Sequence, residues 1–328
     1  MRAITAHRLG TPDDLVIEDR PSPVPGPGEV RVAVKAAAIN FPDLLVIAGR
    51  YQVRPPLPFT PGKECAGVVA ALGPGVAGLA VGERVMVQVE HGAFAEEVVA
   101  PATHCYRIPG AMGFDEAAAV GIAYQTAHFA LVDRAQVRAG ERVLVTGATG
   151  SVGIAAMQLA KAFGCTVIGG VTTPAKSALA RENGADHVID LSGTGLRDSI
   201  RNDVRALTGG GVDVVVEIVG GDAFEGALRT LDWRGRLVVV GFTSGTIPTV
   251  KANYLLLKNI AVTGVNWSDY RDRDPAWVHR VQDEIFALYV AGKIRVPVQA
   301  RFPLADFRPA FAVLEDRQVR GKVILAAG

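Results

Sequence analysis

Apolar and polar residues alternate along the first third of the chain in a way that predicts short β-strands. Residues 30–36 (Val-Arg-Val-Ala-Val-Lys-Ala) follow a period of two, which is typical of a strand with one buried face. Further strands are expected at residues 66–72, 84–89 and 95–99, with glycine and proline turns between them. Several short strands with such turns predict a barrel-like domain.

The pattern changes near residue 114, where helical stretches begin to alternate with short apolar runs. These runs lie at residues 143–146, 166–168, 187–189, 213–219 and 236–241. Strands that alternate with helices predict a parallel, doubly wound α/β sheet. A sixth strand at residues 260–265 would complete the usual complement.

The last part of the chain shows a different pattern of apolar and polar residues. One stripe of a helix expected at residues 276–291 carries apolar side chains, which we interpret as core packing. Residues 321–325 (Gly-Lys-Val-Ile-Leu) indicate a final strand. We therefore expect the second domain, residues 121–265, to be inserted between two parts of the first, residues 1–120 and 266–328.

Composition narrows the class of protein. A chain of 328 residues suits two domains, and 49% hydrophobic with 20% charged residues indicates a globular protein. The net charge of +1 creates no long-range field for nucleic acid or membrane. Three cysteines without metal-like spacing favour a reducing cytosol, so a cytoplasmic location is expected. No signal-peptide core or transmembrane stretch is recognisable.

A glycine-rich segment at residues 143–153 (Val-Leu-Val-Thr-Gly-Ala-Thr-Gly-Ser-Val-Gly) predicts a buried strand, a tight turn and the start of a helix. Gly147, Gly150 and Gly153 would allow the turn, the approach of a pyrophosphate to the backbone, and close packing of helix and strand. The N–H groups that begin the helix would hold phosphate oxygens. This spacing predicts a dinucleotide-binding domain.

The segment after the second strand of this domain indicates which dinucleotide. NAD sites usually carry an acidic residue there, but no carboxylate lies between Gly153 and Glu182. Thr172, Thr173 and Lys176 occupy the region instead and suit a 2′-phosphate, which favours NADPH over NADH. Alternatively, Thr173 caps a helix and Lys176 is a surface lysine, roles that are compatible with phosphate binding.

The order of elements resembles the medium-chain dehydrogenase/reductase superfamily, and most closely its zinc-free, zeta-crystallin-like NADPH:quinone oxidoreductases. The resemblance rests on residues 38–43 (Ala-Ile-Asn-Phe-Pro-Asp), 61–69 (Pro-Gly-Lys-Glu-Cys-Ala-Gly-Val-Val), 147–153 and 320–325. It implies a GroES-like β-barrel catalytic domain and a Rossmann domain. It also implies a homodimer that forms through the edge strand at residues 260–265, because relatives commonly dimerise in this way.

The resemblance also bears on zinc. Alcohol dehydrogenases of the superfamily have a cysteine at the position of Asn40 and a histidine at the position of Lys63. An amide and a protonated amine are poor zinc ligands. The four-cysteine lobe is missing as well, because the chain runs directly from Val89 to Gly92 and Ala93. We therefore expect no metal.

Without a Lewis acid, reduction of an electrophilic quinone or α,β-unsaturated carbonyl compound is easier than oxidation of an alcohol. The resemblance places Asn40, Asp43 and Tyr51 near the nicotinamide. Asn40 would position cofactor or substrate, and Tyr51 would donate its hydroxyl to the acceptor oxygen. Alternatively, Asp43 caps the following helix and Tyr51 is a loop aromatic without a chemical role.

The remaining site residues are carried over from the family by position. Ser151 and Val152 are expected to face the pyrophosphate, and Tyr124 and Trp267 to contact the substrate. Relatives often cover the adenosine phosphate with a tyrosine where this chain has Leu191. Contacts on the nicotinamide side are expected from Thr126, Ile218, Gly241, Thr243, Gly264, Val265, Asn266 and Lys322, although Thr126 could bond its own helix and Lys322 could be a surface lysine.

These expectations leave several function classes open. The leading hypothesis is an NADPH-dependent reductase of quinones or activated alkenes. A reductase of enoyl or acryloyl thioesters is the alternative within enzymes, and Arg50 and Arg54 are the sequence feature that suits a charged thioester carrier. A crystallin-like structural role or binding of AU-rich RNA is the non-enzymatic alternative. The near-neutral charge argues against dedicated RNA binding.

Overall fold

The computed structural model of the chain describes residues 1–315 and 320–327. Its strands are β1 (Arg2–Thr5), β2 (Val16–Asp19), β3 (Glu29–Ile39), β4 (Glu64–Leu72), β5 (Arg84–Gln88), β6 (Glu97–Pro101), β7 (Cys105–Arg107), β8 (Arg142–Thr146), β9 (Thr166–Val171), β10 (His187–Asp190), β11 (Val212–Glu217), β12 (Leu231–Val239), β13 (Ala261–Gly264), β14 (Val298–Pro303) and β15 (Lys322–Ala326). Its α-helices are α1 (Phe41–Ile47), α2 (Phe114–His128), α3 (Ser151–Ala162), α4 (Pro174–Glu182), α5 (Leu196–Thr208), α6 (Gly221–Thr230), α7 (Ala252–Lys258), α8 (Trp267–Arg273), α9 (Pro275–Val290) and α10 (Phe307–Glu315).

The chain divides into two compact units. Unit 1 comprises Met1–Ile122, Arg271–Val290 and Val296–Gly328, and unit 2 comprises Ala123–Tyr270 and Ala291–Arg295. The boundaries predicted after residues 120 and 265 stay predictions. Residues 316–319 and 328 of the third predicted range lie outside the described residues.

Unit 1 is built on a mostly antiparallel sheet in which β3 is the longest strand. The sheet order is β14-β15-β3-β4-β5-β7. Strand β6 is not part of this order but also pairs with β3. Val30, Val32 and Val34 of β3 are buried while the residues between them are partly exposed, as the alternation of the sequence predicts. Phe94, Phe307 and Phe311 are fully buried members of the same core.

Unit 2 contains a six-stranded parallel sheet in the order β10-β9-β8-β11-β12-β13. This order confirms the doubly wound sheet and places β13 at its edge, as predicted. Val143, Leu144 and Val145 of β8 have no exposed surface, because helices cover both faces of such a sheet. The order in which strands are added to the sheet reverses between the neighbouring parallel strands β8 and β11, which is where doubly wound sheets bind ligands.

Most predicted strands differ from the structure by a few residues at their ends, and the differences at β11 and β12 bear on the site. β11 stops at Glu217, two residues before the predicted end, because its carboxylate binds the N–H groups of Val219 and Gly220 and turns the chain. β12 starts at Leu231 and ends at Val239 rather than running from residue 236 to 241. None of the helices among the described residues is long and apolar enough to cross a membrane.

Candidate active site

The glycine turn between β8 and α3 has the geometry that an anion site needs. Gly147 has φ +64°, and a Cβ on Gly153 would lie 2.2 Å from the Gly147 carbonyl oxygen. The N-cap of α3 is Gly150, which offers no side chain to the first N–H groups of the helix. The N–H groups of Ser151 and Val152 lie in this first turn, where an α-helix has no internal acceptors for them. They can therefore hold phosphate oxygens, as predicted for this segment.

A buried hydrogen-bond network shapes the neighbouring loop at the end of β11. The Thr146 hydroxyl donates to Glu217 Oε1 at 3.0 Å and accepts the Ile218 N–H at 2.9 Å. Glu217 also accepts the N–H groups of Val219 and Gly220, and burial raises the pKa of its carboxyl. A Cβ on Gly147 would lie 3.4–3.8 Å from Val219 and Ile218, so this loop packs directly against the glycine turn.

Ile218, which the resemblance assigned to the nicotinamide side, thus lies beside the glycine turn, and its cofactor contact stays a prediction, whereas Glu217 was not anticipated. The signal was present in the sequence, because Glu217 ends an apolar run in which a carboxylate must be buried. A buried carboxylate needs hydrogen-bond donors, and the nearby backbone supplies them here.

The segment predicted to hold the 2′-phosphate follows β9 directly. Thr173 is the N-cap of α4 and its hydroxyl accepts the Lys176 N–H at 3.4 Å, so the capping interpretation is confirmed. Thr172 and Thr173 are exposed and Lys176 is half-buried. Leu191 is buried over Gly170, where an added Cβ would meet it at 2.7 Å. Leu191 therefore packs on β9 and offers no polar atom to a phosphate.

The other residues expected on the nicotinamide side lie at the carboxyl ends of β12 and β13 or in the loops that follow. The Thr243 N–H donates to the Ile218 carbonyl, and the Val265 N–H donates to the Val239 carbonyl. The remaining residues of this group in unit 2 are Gly241, Gly264 and the exposed Asn266, together with Thr126, which is buried in α2. Their cofactor contacts stay predictions.

Tyr124 and Trp267 gain no support as substrate contacts. Tyr124 is 2% exposed, and its hydroxyl donates to the Arg295 carbonyl and lies 3.2 Å from Gln158 Oε1. Trp267 is 8% exposed, and its indole N–H donates to Gln125 Oε1 at 2.6 Å. Both polar groups are already engaged inside unit 2, which points to packing roles.

In unit 1, Asn40 and Asp43 begin helix α1 as a reciprocal capping pair. Asn40 is the N-cap, and its N–H donates to Asp43 Oδ2 at 2.7 Å. Asp43 has no exposed surface, and its Oδ1 has no hydrogen-bond partner among the described residues. Burial raises the pKa of this carboxyl to about 7. The structure therefore favours the capping alternative for Asp43 over direct contact with a substrate.

Glu64 is the centre of a buried cluster that includes Asn40. Its Oε1 accepts from Asn40 Nδ2 at 3.0 Å and from Lys322 Nζ at 2.6 Å, and its Oε2 accepts the Ile122 N–H at 2.8 Å. Lys322 Nζ also donates to Asn40 Oδ1 at 2.6 Å, and Asn40 Nδ2 to the Ala38 carbonyl. Lys322 is 3% exposed, so it is not a surface lysine. Sequence reasoning missed Glu64 as a cluster centre.

A second charged cluster lies around Glu90. Lys63 Nζ donates to Glu90 Oε2 at 2.6 Å and to the Glu90 carbonyl at 3.2 Å, and Arg271 donates to Glu90 Oε1. Lys63 and Arg271 are 3% and 2% exposed. Lys63 Nζ also lies 4.4 Å from the centre of the Tyr51 ring. Sequence reasoning considered Lys63 only as a poor metal ligand and missed this contact.

The donor set in unit 1 does not fit a zinc ion. Both ends of the Asn40 amide are hydrogen-bonded, and Lys63 Nζ is bonded to Glu90 as a donor. Within residues 1–315 and 320–327, no group of three or more histidine, cysteine, aspartate or glutamate side chains is arranged to hold a metal ion. An ammonium that donates to a carboxylate has no lone pair for a metal.

Comparisons with known proteins match this architecture. The family described as "Alcohol dehydrogenase GroES-like domain" matches residues 26–110, and the one described as "Zinc-binding dehydrogenase" matches residues 151–282. The chain is 39% identical to "Quinone oxidoreductase-like protein 2 homolog" of Nematostella vectensis over 99% of this chain and 88% of that protein.

Two solved structures are similar over nearly their whole lengths. The quinone oxidoreductase of Escherichia coli in complex with NADPH is 32% identical, with a TM-score of 0.91 over 99% of this chain and 100% of that one. An NAD-dependent alcohol dehydrogenase is also 32% identical, with a TM-score of 0.88 over 100% of both chains. The fold therefore does not separate these chemistries, and the side chains of the site must do so.

Proposed function

Because the chain belongs to the medium-chain dehydrogenase/reductase superfamily, with quinone oxidoreductase-like proteins among its relatives, we propose that it is a zinc-independent, NADPH-dependent reductase of quinones or α,β-unsaturated carbonyl compounds. The observation that carries this proposal is the pair of clusters in unit 1. The residues at the zinc-ligand positions of related alcohol dehydrogenases, Asn40 and Lys63, are engaged in hydrogen bonds and suit no metal.

The residues of unit 2 fit NADPH. The uncapped start of α3 suits the pyrophosphate, and the stretch from Gly153 to Lys176 places no carboxylate against a 2′-phosphate. Thr172 and the Lys176 ammonium would bind that phosphate, and Ile218 would pack beside the nicotinamide. NADPH, when bound, supplies the hydride that the acceptor receives.

The acceptor needs a hydrogen-bond donor for the oxygen on which negative charge grows. Tyr51 supports this role, because its hydroxyl makes no hydrogen bond to any described residue while its ring is held by Lys63. Burial, together with the negative charge of Glu90, raises the pKa of Tyr51, so the phenol stays protonated at neutral pH. The Asn40 amide is a poorer donor for the acceptor oxygen, because both its N–H and its carbonyl groups are already hydrogen-bonded.

A panel of quinones, enones and acryloyl thioesters tests the proposal, with NADPH absorbance as the readout and product analysis as confirmation. We expect turnover of quinones or enones that survives prolonged EDTA treatment, with zinc well below one ion per chain. Activity that depends on a tightly held zinc would contradict it. Preference for an acryloyl thioester would favour the alternative, which the exposed Arg50 and Arg54 beside Tyr51 support.

We also propose that the protein forms a homodimer through β13. Ala261 and Gly264 of this edge strand are exposed, and α7 just before it carries Leu256 and Leu257, which are 77% and 72% exposed. An apolar edge strand can pair with its own copy across a two-fold axis.

A further inference from the structure

We propose that Lys63 is a positioning residue for the reaction: its buried ammonium, anchored by Glu90, holds the ring of Tyr51 and keeps a positive charge beside the hydroxyl donor. This inference rests on the proposed reductase function and deepens it. It assigns a role to a residue that replaces a metal ligand of related alcohol dehydrogenases.

The backbone pairing of β4 with β5 fixes the position from which the Lys63 side chain extends. Lys63 directly precedes β4, and its carbonyl accepts the Val89 N–H at 2.9 Å, which extends the pairing of β4 with β5 by one residue. The same extension brings Glu90 beside Lys63. The side chain of Lys63 therefore starts from a rigid strand end rather than from a mobile loop.

The contacts of Lys63 Nζ determine where its positive charge lies. Two N–H groups of the ammonium serve Glu90, through the carboxylate at 2.6 Å and the carbonyl at 3.2 Å. The ring of Tyr51, with its centre 4.4 Å away, lies within range of a cation–π contact. Such a contact is stronger where water is excluded, and Lys63 is only 3% exposed.

Lys63 belongs to a chain of ion pairs that runs through Glu90 and Arg271 to Asp272. Glu90 is its sole ion-pair partner among the described residues, and Glu90 also binds Arg271, which in turn pairs with Asp272 at 2.7 Å. Glu90 and Asp272 thus pair with Lys63 and Arg271, and within this chain of ion pairs the Lys63 ammonium is the group that lies against the Tyr51 ring. The Lys63 ammonium beside the ring favours the growth of negative charge on an oxygen that the Tyr51 hydroxyl contacts.

Tyr51 has no polar anchor other than the Lys63 ammonium among the described residues. It lies in the irregular segment between α1 and β4, half-buried against the core of unit 1. Its hydroxyl has no partner within residues 1–315 and 320–327 that could orient the ring. The ammonium of Lys63 is therefore the contact that can hold the phenol in one place without consuming its donor.

Four variants test the proposal in a double-mutant cycle: Lys63→Met, Lys63→Arg, Tyr51→Phe and the double variant Lys63→Met/Tyr51→Phe. Loss of a desolvated cation–π contact predicts that Lys63→Met lowers kcat for an enone about tenfold, while KM for NADPH changes less than about twofold. Lys63→Arg keeps charge and ring contact and should stay within about threefold of wild type. In the Tyr51→Phe background, Lys63→Met should change kcat less than about twofold, because the hydroxyl is already absent.

A spectroscopic readout tests the positioning without turnover. In ligand-free protein labelled with 3-fluorotyrosine, the signal of Tyr51 is assigned by its loss in Tyr51→Phe. Among the 6 tyrosines, this signal should move most in Lys63→Met and little in Lys63→Arg. Val69→Ala is the stability control, because Val69 lies buried in the same strand about 20 Å from Lys63. If Lys63→Met does not fold, Lys63→Gln replaces it and keeps a donor for Glu90.

Several results would overturn the inference. An unshifted Tyr51 signal in Lys63→Met would overturn the inference, whether or not the protein reduces any acceptor. If no acceptor in the panel is reduced, the proposed function itself is refuted. With an active wild type, an unchanged kcat in Lys63→Met or an equal loss in both backgrounds would exclude action through Tyr51. Lys63→Arg as inactive as Lys63→Met would show that charge is not what matters.

Discussion

Replacing Glu64 by glutamine is a sharp test of the buried cluster in unit 1, because the substitution keeps the shape of the side chain. Three donors converge on the carboxylate from different sides: Asn40 Nδ2 and Lys322 Nζ on Oε1, and the Ile122 N–H on Oε2. A glutamine has one acceptor oxygen. Whichever way its amide is turned, the NH₂ group faces at least one of these donors.

The expected loss is large because both charge and hydrogen bonds are affected. Glu64 has no exposed surface and Lys322 is 3% exposed, so the variant leaves a buried ammonium without its counter-charge. Removing one partner of a buried ion pair typically costs about 3–5 kcal/mol. We expect the free energy of unfolding to fall by that amount. Adding Lys322→Met should restore most of it, because the unpaired charge is then gone as well.

Glu217→Gln in unit 2 is the matched control. Glu217 is equally buried, but its Oε1 alone accepts from the Thr146 hydroxyl, the Val219 N–H and the Gly220 N–H, all at 3.0 Å. One amide oxygen can replace that atom, and only a second contact of Oε2 with the Gly220 N–H is lost. Burial also raises the pKa of Glu217, so neutralising it removes a cost. We expect a change of about 1 kcal/mol or less.

Equilibrium urea unfolding, followed by circular dichroism and tryptophan fluorescence, measures both variants. Glu64→Gln should lower the free energy of unfolding clearly more than Glu217→Gln, although the two sites are equally buried. This expectation is refuted if Glu64→Gln and Glu217→Gln lower the free energy of unfolding equally, or if Glu64→Gln stays within about 1 kcal/mol of wild type.

Three further predictions follow from other parts of the molecule. Lys176→Ala should raise KM for NADPH about tenfold or more and spare NADH, because a charge-assisted phosphate contact is worth about 1.5–3 kcal/mol; equal effects in steady-state kinetics would rule out phosphate binding. Replacing both Leu256 and Leu257 by aspartate should convert a dimer to a monomer in light scattering, and a wild type that is monomeric at micromolar concentration would contradict the proposed interface. The pKa of Asp43, about 7 in the folded chain, is above its ordinary value of 3.8, so its contribution to stability is complete below pH 3.8 and lost as the pH rises through 7. Asp43→Asn should flatten the fall in unfolding free energy over that range, and an unchanged slope in urea unfolding would refute this assignment.

The sequence by itself determined the features that depend on local pattern. The alternation at residues 30–36 predicted β3, and the run from Val143 to Gly153 predicted β8, the glycine turn and α3. Strand periodicity and the φ freedom of glycine act over a few residues, so a reader of the chain can recognise them without knowing the fold. The order of strands and helices then predicted the doubly wound sheet and its edge strand β13, because parallel strands need helical crossovers.

The tertiary structure alone decided the partners of the polar side chains. Lys322 lies 282 residues from Asn40 and 258 from Glu64, and Arg271 lies 181 from Glu90. No local pattern links such residues; sheet pairing brings β15 beside β3 and β3 beside β4. The sequence therefore suggested that Asn40 positions cofactor or substrate and that Lys63 is a poor zinc ligand, whereas the fold engages the first with Glu64 and Lys322 and sets the second against Tyr51. A buried charged group needs a hydrogen-bond partner, and only the folded chain decides which groups lie close enough to serve as one.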